Sequence, residues 1–189
     1  MKTNKKSRIA IDALLIILGI VFLIFGIKDF KNFISNQNTK ISDAERFKAD
    51  YQYVDKANSY KYTSIKELKT MLNSKEEGII LLGSPLDPWT QVIVSHLDEY
   101  AKSVEKSIYY LDLDKVDKES EDYKDLLKTL KIEELYLPTI IVQNKDKSEV
   151  LDKTKIYDSN YTEAPIDYWT DERIEELKRV LSDKIGELK

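Results

Sequence analysis

A carboxylate and a hydroxyl stand three residues apart at Asp87 and Thr90, with Pro88 and Trp89 between them. An aspartate just ahead of a helical pattern can accept hydrogen bonds from the helix's free N–H groups and sit in the positive end of its dipole. Acid–base work at Asp87 requires a proton partner, and the single histidine, His96, lies more than two helical turns further on. The chain contains no cysteine. That excludes disulfides, thiolate catalysis and zinc–thiolate sites. One histidine leaves no His-rich metal site. Asp112 and Asp114 admit two readings, as a pair of metal ligands or as turn and cap residues behind a strand. Five glycines in all, none in a phosphate-cradling arrangement, leave no nucleotide loop, and no serine elbow occurs. No catalytic residue, metal or cofactor is expected, and the chain reads as a non-enzyme.

The elements that must position Asp87 and Thr90 are legible around them. Gly78–Gly83 is a short apolar run with β-branched residues between two glycines, the pattern of a buried central strand. Asp87 suits an N-cap and Pro88 the first helical turn, where a missing N–H costs nothing. Val92, Ile93, Leu97, Tyr100, Ala101 and Val104 then recur at helical spacing. Upstream, Ser42-Asp43-Ala44-Glu45 and Ser64-x-x-Glu67 read as capping boxes. The first opens a short helix through about Lys56, with Phe47, Tyr51 and Val54 on one side. The second opens a helix carrying Ile65, Leu68, Met71 and Leu72. Tyr51, Tyr53, Tyr60 and Tyr62 form a tyrosine-rich patch that fits edge-strand packing or a binding surface. Downstream come a strand over Ser107–Leu113 and a helix over Glu119–Lys131. A strand Ile140-Ile141-Val142 follows Leu137-Pro138-Thr139, and Asn144-Lys145-Asp146-Lys147 turns into a strand over Glu149–Ile156. Ile156 to Trp169 reads as a long polar and aromatic connection. A final helix starts at Thr170-Asp171-Glu172 with an apolar stripe of Ile174, Leu177, Leu181 and Ile185.

The segment Gly83-Ser84-Pro85-Leu86-Asp87-Pro88-Trp89-Thr90 resembles the active-site segment of the thioredoxin superfamily. The likeness is to the membrane-anchored thioredoxin-like proteins of Gram-positive bacteria described as bacteriocin transport accessory proteins. Those carry Gly-x-Pro-x-Cys-Pro-Trp-Cys after the first central strand. The two cysteines fall on Asp87 and Thr90, while Pro88-Trp89 match. The likeness runs from about Phe47 to Val150, through Asn58-Ser59-Tyr60, Ile108-Tyr109-Tyr110-Leu111-Asp112 and Leu137-Pro138-Thr139. It implies an α/β chain of thioredoxin-like fold, a central mixed β-sheet flanked by helices. It also implies a cis peptide bond at Pro138, facing the turn, and a groove built from Asp87, Pro88, Trp89, Thr90, Leu137 and Pro138. Such grooves hold an extended peptide by main-chain contacts beside the proline, which needs no thiol. With both cysteines replaced, the chain is expected to be a pseudo-oxidoreductase.

Ile9 to Ile27 is almost wholly apolar. At about 1.5 Å per residue the stretch spans about 28 Å, close to the hydrocarbon thickness of a bilayer. No Ala-x-Ala-like cleavage site follows, so an uncleaved signal anchor is expected. Lys2, Lys5, Lys6 and Arg8 precede it, placing the N-terminus in the cytoplasm and the body outside. Asp12 lies in the first turn of the segment, either at the interface or paired with a partner helix. The organisation is therefore residues 1–8 as a basic cytoplasmic tail, 9–27 as a transmembrane helix, 28–42 as a stalk and 43–189 as one thioredoxin-like domain. Residues 28–189 carry 26 Lys+Arg against 33 Asp+Glu, a net charge of −7. An acidic body argues against nucleic acid as the partner, because phosphate binding needs a basic face. A protein or peptide partner in the cell envelope is expected instead. Three functions fit: a non-catalytic extracytoplasmic binding or accessory subunit, a bacteriocin-associated accessory or immunity protein, and an enzyme of non-thiol chemistry.

Overall fold

The computed structural model describes residues 41–146, 148–158 and 160–186. The basic tail, the apolar stretch Ile9 to Ile27 with Asp12, and the stalk as far as Lys40 lie outside the described residues. Among the described residues no helix is long and apolar enough to cross a membrane.

The chain alternates strands and helices: α1 (Asp43–Asp50), β1 (Tyr60–Tyr62), α2 (Ile65–Ser74), β2 (Gly78–Gly83), α3 (Pro88–Ser103) and β3 (Ile108–Asp112). A 3-10 turn (Leu113–Lys115) leads to α4 (Glu121–Leu130), β4 (Thr139–Gln143), β5 (Ser148–Leu151), α5 (Lys153–Ile156), α6 (Pro165–Tyr168) and α7 (Asp171–Gly186). The sheet order is β1-β3-β2-β4-β5. β1, β3 and β2 run parallel, while β4 and β5 are antiparallel to their neighbours.

β2 occupies the middle because every one of its residues is buried. Alternation along a strand sends Ile79 and Leu81 to one face and Ile80 and Leu82 to the other. Ile79 and Leu81 join a core with Phe47, Ile93, Leu97 and Leu181, from α1, α3 and α7. Ile80 and Leu82 join a second core with Leu68, Leu72, Leu126 and Leu130, from α2 and α4. Helices therefore cover both faces of the sheet.

Local chemistry starts the helices where the sequence places them. Both capping boxes are present: Ser42 and Ser64 each accept from the backbone N–H three residues on, and Glu45 and Glu67 each accept from the cap's own N–H. α4 is capped by Ser120, two residues inside the expected start, because the Ser120 hydroxyl accepts from the Tyr123 N–H.

Other boundaries also differ from expectation. α1 ends at Asp50 rather than near Lys56, because Tyr51 turns to extended backbone and buries its ring completely. β3 ends at Asp112, whose carboxylate accepts from the Asp114 N–H and starts the 3-10 turn. β5 ends at Leu151 rather than Ile156, since the Asp152 carbonyl accepts from the N–H groups of Lys155 and Ile156 and coils the chain into α5. The connection expected from Ile156 to Trp169 contains α6 and buries Tyr157, Tyr168 and Trp169 in the core beside α3.

The tyrosine patch is mostly interior. Phe47 stacks on Tyr60 at 3.7 Å between centroids and on Tyr51 at 4.3 Å, and Tyr110 meets it edge-on at 5.0 Å. The Tyr51 and Tyr110 hydroxyls share a hydrogen bond of 2.6 Å, and Tyr62 donates to the Asp50 carboxylate. Only Tyr53 of the four is exposed. Packing of α1 onto the β1 edge, rather than an open aromatic surface, accounts for Tyr51, Tyr60 and Tyr62.

Candidate functional site: the Asp87 turn and the Pro138 loop

β2 delivers the chain into a β-turn, Ser84-Pro85-Leu86-Asp87, closed by the Asp87 N–H donating to the Ser84 carbonyl at 3.1 Å. Ser84 is buried, accepts from the Leu86 N–H at 3.0 Å and donates its hydroxyl to Asp114 at 2.5 Å. Gln91 reaches back from α3 and donates to the Pro85 carbonyl at 2.7 Å and the Asp50 carbonyl at 3.0 Å. The turn is thus braced from the 3-10 turn after β3, from α3 and from α1 together.

Asp87 is the N-cap of α3 and Pro88 its first residue. Asp87 Oδ2 accepts from the Thr90 N–H at 2.7 Å and from the Thr90 hydroxyl at 2.6 Å. Thr90 is completely buried. Its Cγ2 lies 2.6 Å from where a side chain on Gly83 would begin, so only glycine ends β2 here. The two residues at the positions of the implied cysteines are therefore bonded to each other, with a hydrogen-bonded carboxylate where the first thiol would stand.

The Pro138 loop lies across from this turn. Thr139 pairs with Leu82 in the β4–β2 register, so one further step sets Pro138 opposite Gly83. The Leu137-Pro138 bond is cis. Thr139 donates its hydroxyl to the Tyr136 carbonyl at 2.5 Å, closing the loop on itself. Pro138 is buried and Leu137 half-buried.

Trp89 is not an open apolar anchor. Its ring is half-buried and lies flat against Tyr157, 3.8 Å between centroids and 6° from parallel. Tyr168 meets Trp89 edge-on at 5.3 Å. The Tyr157 hydroxyl donates to the Leu137 carbonyl at 3.4 Å. Burial, and then the negative charge of Asp87, push the Tyr157 hydroxyl up to about 12. Tyr157 thereby links all parts of the site, touching Trp89 and Leu137 and feeling Asp87. No sequence motif singles out Tyr157. Its only signal is the aromatic density of the connection, with Tyr157, Tyr161, Tyr168 and Trp169 in thirteen residues.

The remaining candidates are placed elsewhere. Asp112 binds Lys115 at 2.5 Å while Asp114 takes the Ser84 hydroxyl, so the two carboxylates have separate partners. Among the described residues no cluster of three or more metal-ligating side chains occurs. His96 is half-buried on α3 against Trp169, 5.7 Å between rings, and burial lowers its pKa.

A parallel β1-β3-β2 unit, an antiparallel β4-β5 hairpin, helices on both faces and a cis proline at the start of β4 are now in view. The architecture fits a thioredoxin-like fold. No protein-family profile matches the chain, and no curated protein matches it. Among solved structures it is similar to thioredoxin O2 from Arabidopsis thaliana in its oxidised state, at 11% sequence identity and a TM-score of 0.43. The match covers 67% of this chain and 94% of that one.

Proposed function

We propose that this chain is a non-catalytic thioredoxin-like protein, tethered to the membrane through residues 9–27, that serves as an extracytoplasmic binding or accessory subunit. The observation that carries this reading is the Asp87–Thr90 pair. A turn that could hold two thiols instead holds a cap carboxylate bonded twice to a buried threonine. Neither group can exchange a disulfide, which leaves binding rather than redox exchange as the work of this fold. The acidic body, net −7 over residues 28–189, favours a protein partner over nucleic acid.

Cross-linking in intact membranes followed by mass spectrometry tests the reading. A reproducible envelope partner is expected, and gene neighbours encoding a bacteriocin would make the chain the accessory or immunity protein of that system. Protease added to intact protoplasts is expected to digest the body. A body protected until lysis would reverse the orientation drawn from Lys2, Lys5, Lys6 and Arg8.

A further inference from the structure

Arg173 stands apart from the other basic residues described on α7. Lys178 pairs with Glu175 at 3.0 Å, Arg179 with Glu176 at 3.5 Å and Lys184 with Glu149 at 3.2 Å. Among the described residues no carboxylate pairs with Arg173, although Glu176 lies one turn further along the same helix. The guanidinium is nonetheless held in place. It lies 3.9 Å over the Tyr168 ring and 5.6 Å over the Tyr161 ring, and Nη1 donates to the Tyr168 carbonyl at 3.1 Å. A guanidinium carries several N–H donors in a planar fork, so one such bond leaves the rest for another acceptor. Arg173 borders a cavity of about 200 Å³. We propose that this cavity binds a small monocarboxylate with an apolar body, its carboxylate held by Arg173 and Lys155. The site is separate from the Asp87 turn and requires neither the membrane tether nor a protein partner.

Charge at the cavity favours an anion. Lys155 and Arg173 both line it, and each donates to a main-chain carbonyl, of Val150 and Tyr168, and among the described residues to no carboxylate. The two carboxylates on the same lining are engaged elsewhere. Asp158 accepts from the Asn160 N–H at 2.9 Å, and Glu176 pairs with Arg179. The uncompensated charge is therefore positive, on a body of net −7 over residues 28–189. A carboxylate is planar and matches the guanidinium fork with two parallel hydrogen bonds. Asp158 and Glu176 remain nearby and repel a dianion about twice as strongly as a monoanion, which favours a carboxylate over a phosphate.

The rest of the lining sets the body of the ligand. Ile156 and Leu177 are buried and Val180 is half-buried, so the wall beside the two cations is apolar. Arg173, Leu177 and Val180 recur at helical spacing on α7 and share one face of it, while Lys155 and Ile156 come from α5. An apolar cavity of about 150 Å³ accepts benzene. A volume of about 200 Å³ thus has room for one ring, or a branched alkyl group of that size, together with its carboxylate arm. A ligand seated there touches α5 and α7 at once, and binding is expected to stabilise the folded chain.

The test uses the full chain in lipid nanodiscs and phenylacetate as the probe, with binding read by calorimetry and by the rise in unfolding temperature. Saturable binding in the millimolar range is expected for phenylacetate, and none for phenylacetamide, which keeps the ring and lacks the charge. Inorganic phosphate is expected not to displace the probe. Arg173→Lys keeps the charge and loses the fork, and is expected to weaken binding about tenfold. Should Arg173→Lys fail to fold, Lys155→Gln on the exposed side of the cavity carries the same test, with a smaller loss expected. No saturation by wild type at tens of millimolar overturns the proposal. So does equal binding of phenylacetamide, displacement by phosphate, or unchanged affinity in a folded Arg173→Lys or Lys155→Gln protein. None of these results bears on a cross-linked envelope partner, so the two readings fall separately.

Discussion

One oxygen of Asp87, Oδ2, accepts both the backbone N–H of Thr90, at 2.7 Å, and its hydroxyl, at 2.6 Å. The carboxylate is thereby more than a helix cap. It satisfies a hydroxyl that is buried completely and has no route to water, so the first and last residues of the turn motif depend on each other.

Substitution at Asp87 separates these roles. Asp87→Asn keeps an acceptor oxygen and is expected to lower unfolding free energy by less than about 1 kcal/mol. Asp87→Ala removes the cap and strands the Thr90 hydroxyl, so a loss of about 2 kcal/mol is expected. Urea unfolding measures both. Equal costs for the two variants would show that the Thr90 hydroxyl does not rely on Asp87.

Gly83 and Thr90 should be coupled. Gly83→Ala drives a Cβ to 2.6 Å from Thr90 Cγ2, and overpacking of this kind is expected to cost about 1–3 kcal/mol. Thr90→Ser removes Cγ2 and keeps the hydroxyl for Asp87. The double variant is expected to be less destabilised than the sum of the singles, as read from a double-mutant cycle. Strict additivity would refute the contact.

Placing thiols at Asp87 and Thr90 tests whether the turn has a geometry fit for redox exchange. Asp87→Cys with Thr90→Cys places one sulfur at the start of α3, where the dipole favours a thiolate, and the other three residues on. Wild type is expected to show no insulin reduction in the presence of dithiothreitol above background, and the double variant to show measurable thiol–disulfide exchange. An inactive but well-folded double variant would mean that the bracing by Ser84 and Gln91 has remodelled the turn.

Alkaline pH should unfold the body cooperatively. Burial raises the pKa of Tyr51, Tyr60, Tyr62 and Tyr110 above the ordinary tyrosine value, and holds Tyr157 at about 12. A group with a raised folded-state pKa contributes stability that is complete below its unfolded value, near 10, and lost as pH rises through the folded value. For Tyr157 the window is pH 10 to 12. Tyrosinate absorbance is expected to appear together with loss of far-ultraviolet circular dichroism. Tyrosinate forming ahead of unfolding would show that these rings are open to solvent.

Most of the frame was legible in the linear chain because it is written in short-range patterns. The all-apolar β2, the two capping boxes and the Asp87-Pro88 helix start are local statements, and each is realised in the structure. The element boundaries that moved did so through contacts invisible in sequence. Tyr51 left α1 to bury its ring against Tyr110, 59 residues away, and Asp152 turned the chain out of β5.

The absence of thiol chemistry, the acidic balance of the body and the placement of Asp87 at a helix start were determined by the sequence alone, since composition and local spacing suffice for them. Only the tertiary structure decided what became of the site. Tyr157 lies 68 residues from Trp89 in a stretch with no periodic pattern, and nothing in their spacing shows that one ring covers the other. Their stacking depends on where β5 ends, how α5 coils and how α7 holds Tyr168, because two rings so far apart in sequence meet only when distant elements pack.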